Sequence, residues 1–127
     1  MNPLRPIGRR ERQRARSLSD LVENPWVVEH VGSSVRHWTD SVCRDAGFVP
    51  RVAYESADVY LHAEIVAHGL AAGFLPNLSV RDLEGVRLVP LGAARTIDLS
   101  IRAGSETSPI VAAATAALHT ASTDVRL

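Results

Sequence analysis

Polar side chains lead into two predicted helices, and these are the positions where the sequence could hold a ligand. The first segment runs from Glu29 to Ser34, and the second runs from Glu55 to Asp58. Each follows a predicted strand, and ligands of open parallel sheets bind beyond the carboxyl ends of the strands. Helix N-termini there present free N–H groups and a positive dipole end, which suits a small anionic ligand. The serines of both segments could equally act only as helix N-caps.

The other reactive residue types do not form a catalytic pattern. Cys43 lies on the apolar stripe of a predicted helix, which favours a structural thiol over a nucleophile. His62 and His68 lack the i, i+4 spacing of a helical metal site. The stretch from Gly69 to Gly73 lacks the lysine and the glycine spacing of a phosphate-binding loop. We therefore expect no enzyme activity, no metal and no cofactor.

Strand-like and helix-like patterns alternate along the chain from residue 18 onward. Apolar residues at helical spacing from Val35 to Ala46 predict a helix, with its turn and N-cap supplied by Gly32-Ser33-Ser34 and Gly47 as its C′ residue. A second predicted helix is capped by Ser56 and ends at His68-Gly69, and a third starts at Ser108 and Pro109. The predicted strands cover residues 26–28, 52–54, 70–75, 86–91 and 96–102. This alternation predicts an α/β fold with a mainly parallel sheet flanked by helices.

Composition and charge indicate one domain of ordinary globular make-up. The chain has 127 residues, of which 46% are hydrophobic, and its single cysteine excludes an internal disulfide framework. No apolar run suggests a secretory signal or a membrane span, so the cytoplasm is the expected location. The net charge of zero is the sum of a basic arm and an acidic body. Residues 1–17 hold six Arg and one acid, whereas the other 110 residues hold eight Arg and thirteen acids.

The segment from Ala46 to Leu78, AGFVPRVAYESADVYLHAEIVAHGLAAGFLPNL, resembles the effector-binding domain of LysR-type transcriptional regulators. The family's "lVaaGlGvallP" signature is matched by the residues from Ile65 to Pro76. His68 replaces a small residue of that signature, and Ala71 replaces its second glycine. Further matches to the family lie upstream of this segment, at Leu18–Leu21 and Pro25–Val27, and downstream of it, at Arg95–Leu99 and Ser108–Ile110. All of them occur in the same order as in the family. Together they extend the resemblance over roughly residues 17–120.

The resemblance implies half of a periplasmic-binding-protein-like (type II) fold, which has two α/β lobes with an effector cleft between them. Residues 18–92 would be the second lobe, residues 93–122 a returning strand and C-terminal helix, and residues 123–127 a tail. The chain offers no counterpart of the family's helix-turn-helix, so we expect an N-terminally truncated form. The basic arm, residues 1–17, would be disordered or the remnant of a hinge strand. Since the arm has no aromatic residues and no fold to position it, we expect no direct DNA binding.

The function that follows is that of an effector-binding fragment of a LysR-like regulator. It would bind a small ligand, for which an anionic group is one option, in transcription regulation. The residues expected to face the cleft are carried over by position: His30, Ser33, Ser34, Glu55, Ser56 and Phe74. Two alternatives stay open. The chain could be an interaction module that forms a homodimer or pairs with a full-length regulator, or it could be a non-functional gene remnant.

Overall fold

A computed structural model describes residues 15–76, 86–93 and 95–124. The chain divides into two compact units, of which the first ends at Ala93 and the second begins at Ala94. Most of the basic arm (residues 1–14), the residues just after Pro76 (77–85) and the last three residues lie outside the described part. The predictions made for them are therefore not addressed by the structure.

The first unit has a β-α-β-α order around a parallel strand pair. A short 3-10 helix at Leu18–Leu21 precedes strand β1 (Pro25–Val28), helix α1 (Ser34–Asp45), strand β2 (Arg51–Glu55) and helix α2 (Val59–Ala67). The two strands are parallel and pair from Pro25 with Arg51 to Val28 with Glu55, with a shift in register between Trp26 and Val27. This order confirms the predicted α/β fold class.

Strand β1 is the centre of the hydrophobic core and is buried on both faces. Trp26, Val27 and Val28 are each only 1% exposed. Trp26 and Val28 pack in one cluster with Cys43 of α1, whereas Val27 packs in a second cluster with Ile65 of α2. Successive side chains of a strand point to opposite faces, so the two clusters lie on opposite sides of β1. The predicted strand at 26–28, buried on both faces, is confirmed.

Both helices of the first unit end at the glycine that the sequence predicts. Gly47 has a φ of +88°, and its N–H donates to the carbonyl of Arg44 at 2.9 Å. The N–H of Phe48 donates to the carbonyl of Cys43 at 3.0 Å, which completes a Schellman motif. Gly69 ends α2 with the same pair of hydrogen bonds. Each motif turns the chain back toward β1.

The predicted cap of α1 is confirmed, but that of α2 is wrong. The Ser33 hydroxyl accepts the N–H of Arg36 at 3.1 Å and so caps α1. Helix α2 is capped instead by Asp58, whose carboxylate accepts the N–H of Tyr60 at 2.9 Å and the N–H that follows. Ser56 accepts the N–H of Asp58 at 3.0 Å. The charged carboxylate takes the two N–H groups, since it is the stronger acceptor and lies next to the first helical residue.

Three predicted strands are not formed as expected. Of residues 70–75, only Ala72 joins the sheet, through a single bridge with Trp26. In the described part of the chain, residues 86–91 and 96–102 are irregular, and the predictions of strands there are wrong. An alternating or apolar pattern produces a strand only where a neighbouring strand accepts and donates the backbone hydrogen bonds.

The second unit contains helix α3 (Pro109–Asp124), which begins at the predicted proline. The N–H of Ala112 donates to the carbonyl of Ser108 at 2.9 Å, so Ser108 occupies the predicted position just before the helix. Apolar side chains of this unit are exposed, with Ile97 and Ile110 both at 82%. No described helix is both long and apolar enough to cross a membrane.

Replacing Gly47 by alanine should destabilise the first unit by about 1 kcal/mol. A Cβ at Gly47 would meet no atom within 4 Å, so the cost comes from the left-handed backbone and not from a clash. Urea unfolding followed by circular dichroism measures the change. Gly47→Asn is the control, because asparagine tolerates this conformation better than alanine. If both variants lose the same free energy of unfolding, the left-handed backbone at Gly47 is not the cause.

Candidate functional site

Two of the predicted site residues meet at the carboxyl ends of the parallel strands. His30 follows β1, and Glu55 is the last residue of β2. Although they lie 25 positions apart in the sequence, His30 Nδ1 is 3.0 Å from Glu55 Oε1. Since an ionised carboxylate only accepts hydrogen bonds, Nδ1 carries the proton. The side chains are 59% and 39% exposed, so a ligand can reach the pair from solvent.

Arg36, in the first turn of α1, joins this pair to the rest of the site. Its Nε donates to Asp40 Oδ1 at 3.0 Å, and its Nη1 donates to the backbone carbonyl of Glu29 at 3.0 Å. Nη1 also lies 3.5 Å from Glu55 Oε2. The Arg36 side chain is only 13% exposed. One guanidinium therefore connects the start of α1 with the ends of both strands.

Sequence reasoning missed Arg36. The i, i+4 spacing of Arg36 and Asp40 was the available signal, and it indicates only a surface ion pair. The contact with Glu55 spans 19 positions and depends on how α1 lies against the strand ends. Glu29, which the sequence places in the first polar segment, also enters the network, since its carboxylate accepts the Thr39 hydroxyl at 3.2 Å.

The surroundings of Glu55 favour its ionised form. The hydrogen bond from His30 lowers the pKa of Glu55 below its ordinary value. The electrostatic effects of His30 and Arg36 on Glu55 act in the same direction. The site therefore presents a carboxylate whose charge is already partly neutralised by the protein.

The predicted serines have different local roles. The Ser33 hydroxyl is engaged as the α1 cap, whereas Ser34 is the first residue of that helix and is exposed. Ser56 is held by its backbone, because its N–H donates to the carbonyl of Val28 at 2.9 Å. Ser33 and Ser34 thus lie at the start of α1, and Ser56 continues the sheet hydrogen bonds just past β2.

His62 supports the turn between β2 and α2 from inside the protein. It is only 2% exposed, and its Nε2 lies 2.8 Å from the carbonyl oxygen of Ser56. A carbonyl oxygen only accepts, so Nε2 is the protonated nitrogen. The sequence showed a histidine among apolar helix positions but could not show that it reaches back to the strand end.

Phe74 lies in an aromatic cluster with two tryptophans. Its ring centroid is 5.3 Å from that of Trp26 and 5.2 Å from that of Trp38, the latter in an edge-to-face arrangement. Phe74 is partly buried and packs against the core cluster of Trp26. Its part in a ligand cleft therefore stays a prediction, separate from the polar group around Glu55.

Cys43 has the properties of a core residue. Its side chain is fully buried in the Trp26 cluster, and burial raises the pKa of the thiol to about 11. The negative charge of Asp40 is the smaller cause of this rise. A protonated, enclosed thiol is a poor nucleophile. Among the residues that the structure describes, no group of three His, Cys, Asp or Glu side chains is placed to hold a metal ion.

An α/β lobe with polar side chains joined beyond the carboxyl ends of parallel strands has the architecture of a ligand-binding domain. A comparison with protein-family models matches residues 3–122 to the LysR substrate binding domain. The chain therefore belongs to this family, which confirms the resemblance and the periplasmic-binding-protein-like fold class. Domains of this family are parts of regulators and not of enzymes. Neither the comparison with curated proteins nor the one with solved structures gave a match.

The contribution of Glu55 to stability should depend on pH. Because its pKa is lower in the folded state, this contribution is fully present above the ordinary pKa of 4.5 and is lost as the pH falls through the lowered value. We expect wild type to exceed Glu55→Gln in free energy of unfolding at neutral pH. Urea unfolding at a series of pH values should show the difference shrinking in acid. A difference in free energy of unfolding that stays the same at every pH would contradict the lowered pKa of Glu55.

Removing the hydrogen-bond donor of His62 should destabilise the fold by about 1 kcal/mol, because the part-buried hydrogen bond to the Ser56 carbonyl would be lost. His62→Leu tests this in thermal or urea unfolding. His62→Gln is the matched control, since a glutamine amide can donate from a similar position. If the leucine and glutamine variants lose the same stability, the hydrogen bond is not the cause.

Proposed function

We propose that this chain binds a small-molecule effector in transcription regulation, at the carboxyl ends of β1 and β2. The observation that carries the proposal is the junction of His30, Glu55 and Arg36 at the strand ends. It combines solvent access at His30 and Glu55 with a guanidinium fixed by two hydrogen bonds of 3.0 Å. The family of the chain supports the same role, since its domain is a substrate-binding domain of LysR-type regulators. In this proposal the first unit corresponds mainly to the second lobe of that domain.

We further propose that the ligand is anionic. Helix α1 begins beside the strand ends, and the N–H groups of a first helical turn have no partner within the helix. The Ser33 hydroxyl accepts the N–H of Arg36, which leaves the preceding N–H groups of Ser34 and Val35 for an acceptor from outside. The helix dipole and the Arg36 charge favour a negative group there. The residues proposed to line the binding surface are His30, Ser33, Ser34, Glu55, Ser56 and Phe74.

A second candidate is an interaction module that pairs with another copy or with a full-length regulator. The exposed apolar side chains of the second unit favour it. Ile97 and Ile110 are each 82% exposed, and Leu118 is 55% exposed. Large exposed apolar patches mark sites of protein association, so these side chains are the candidates for such a contact.

A panel of small carboxylates and small aromatic compounds tests the leading proposal. We expect at least one carboxylate to raise the unfolding temperature, by an amount that corresponds to about 2.7 kcal/mol at a hundredfold excess over its Kd. Isothermal titration then gives the affinity of that compound. His30→Ala should weaken its binding, whereas His37→Ala, which removes an exposed histidine from α1, should not.

Two results would contradict the proposal. The first is a folded protein that responds to no compound of the panel. The second is a ligand that binds wild type and His30→Ala equally well, since the site would then lie elsewhere.

A further inference from the structure

The donors at the strand ends already hold a carboxylate, which is that of Glu55. His30 donates to one of its oxygens at 3.0 Å, and Arg36 lies 3.5 Å from the other. The backbone N–H of Val31 also stabilises the ionised form. These donors thus form a small carboxylate-binding site that the Glu55 side chain occupies.

The contact between Glu55 and Arg36 is weaker than the hydrogen bonds that fix Arg36 itself. Glu55 is 39% exposed, and its distance of 3.5 Å from Arg36 is at the limit of a hydrogen bond. Arg36 is kept in place independently, by bonds of 3.0 Å to Asp40 and to the carbonyl of Glu29. If Glu55 turned away, the guanidinium would therefore stay where it is.

Glu55 can leave without any change of the backbone. Just past it, the N–H of Ser56 donates to the carbonyl of Val28, which anchors the end of β2 to β1. Rotation about the side-chain bonds would carry the exposed carboxylate into solvent, a motion that exposed side chains make readily. The donors of His30 and Arg36 would then face an incoming ligand.

We propose that Glu55 is an internal occupant of the effector site, and that an effector carboxylate binds by displacing it from His30 and Arg36. This inference rests on the proposed function and names the ligand group that the site recognises, a single carboxylate on a small molecule. Because ligand and Glu55 compete for the same donors, the site binds such ligands less tightly than its donors would allow. Glu55 sets the effector concentration at which the site fills.

Benzoate is the probe, with benzylammonium as a compound of similar shape and opposite charge. Glu55→Gln removes the competing charge and keeps the size of the side chain. We expect it to bind benzoate about three- to tenfold more tightly than wild type, as measured by titration followed by NMR, since the interactions of an exposed ion pair are weak and a ligand gains only modestly when they no longer compete. The matched control is Glu64→Gln, which makes the same change of charge next to His68, where the side chains are 68% and 69% exposed. Its affinity for benzoate should equal that of wild type.

Several outcomes would overturn the inference. Weaker or unchanged benzoate binding by Glu55→Gln would mean that Glu55 contacts the ligand or plays no part. Tighter binding of benzylammonium than of benzoate by wild type would make Glu55 the receptor for a cation. Binding of benzoate by none of the variants would show that the freed donors do not form a carboxylate site. If a panel compound binds wild type and Glu55→Gln equally well, the inference fails while the proposed function stands.

Discussion

The burial of β1 on both faces is the constraint on which the rest of the first unit depends. A strand covered on both faces needs a layer on each side, and α1 and α2 provide these layers through Cys43 and Ile65. The Schellman motifs at Gly47 and Gly69 return the chain to the sheet after each helix. Parallel pairing of β1 with β2 then places the carboxyl ends of both strands at one edge. The candidate site is a consequence of that arrangement.

Arg36 illustrates how one side chain organises this edge. Its guanidinium has donors in several directions, and it contacts Asp40 on its own helix, the backbone of Glu29 and the carboxylate of Glu55. The charge count indicated an acidic body. At the strand ends, the positive charge of Arg36 offsets the negative charges of the nearby carboxylates. His30 contributes a second donor to Glu55. A site with its own carboxylate already bound has its donors arranged before a ligand arrives, which reduces the ordering required on binding.

Local signals predicted the helices well and the outer strands poorly. Ser33, Gly47, Gly69 and Pro109 mark helix ends because caps and left-handed turns involve only neighbouring residues. The choice of Asp58 over Ser56 as a cap shows the limit of this reasoning, because two good acceptors lay within three positions. The apolar run at 86–91 and the alternation at 96–102 are as regular as that of a strand. The described residues contain no strand that pairs with them, and pairing cannot be read from the run itself.

The sequence by itself determined the α/β class, the buried strand β1, the ends of the helices other than the start of α2, and the family, because each rests on local patterns or on a string of matched residues. It also pointed to the two polar segments that hold His30 and Glu55. Only the tertiary structure decided that these two residues touch, that Arg36 joins them, and that His62 reaches Ser56 from within α2. It also placed Phe74 among the tryptophans. Apart from the contact between His62 and Ser56, these contacts join residues far apart in the chain, so they depend on how β1, β2 and the helices pack, which no local pattern records.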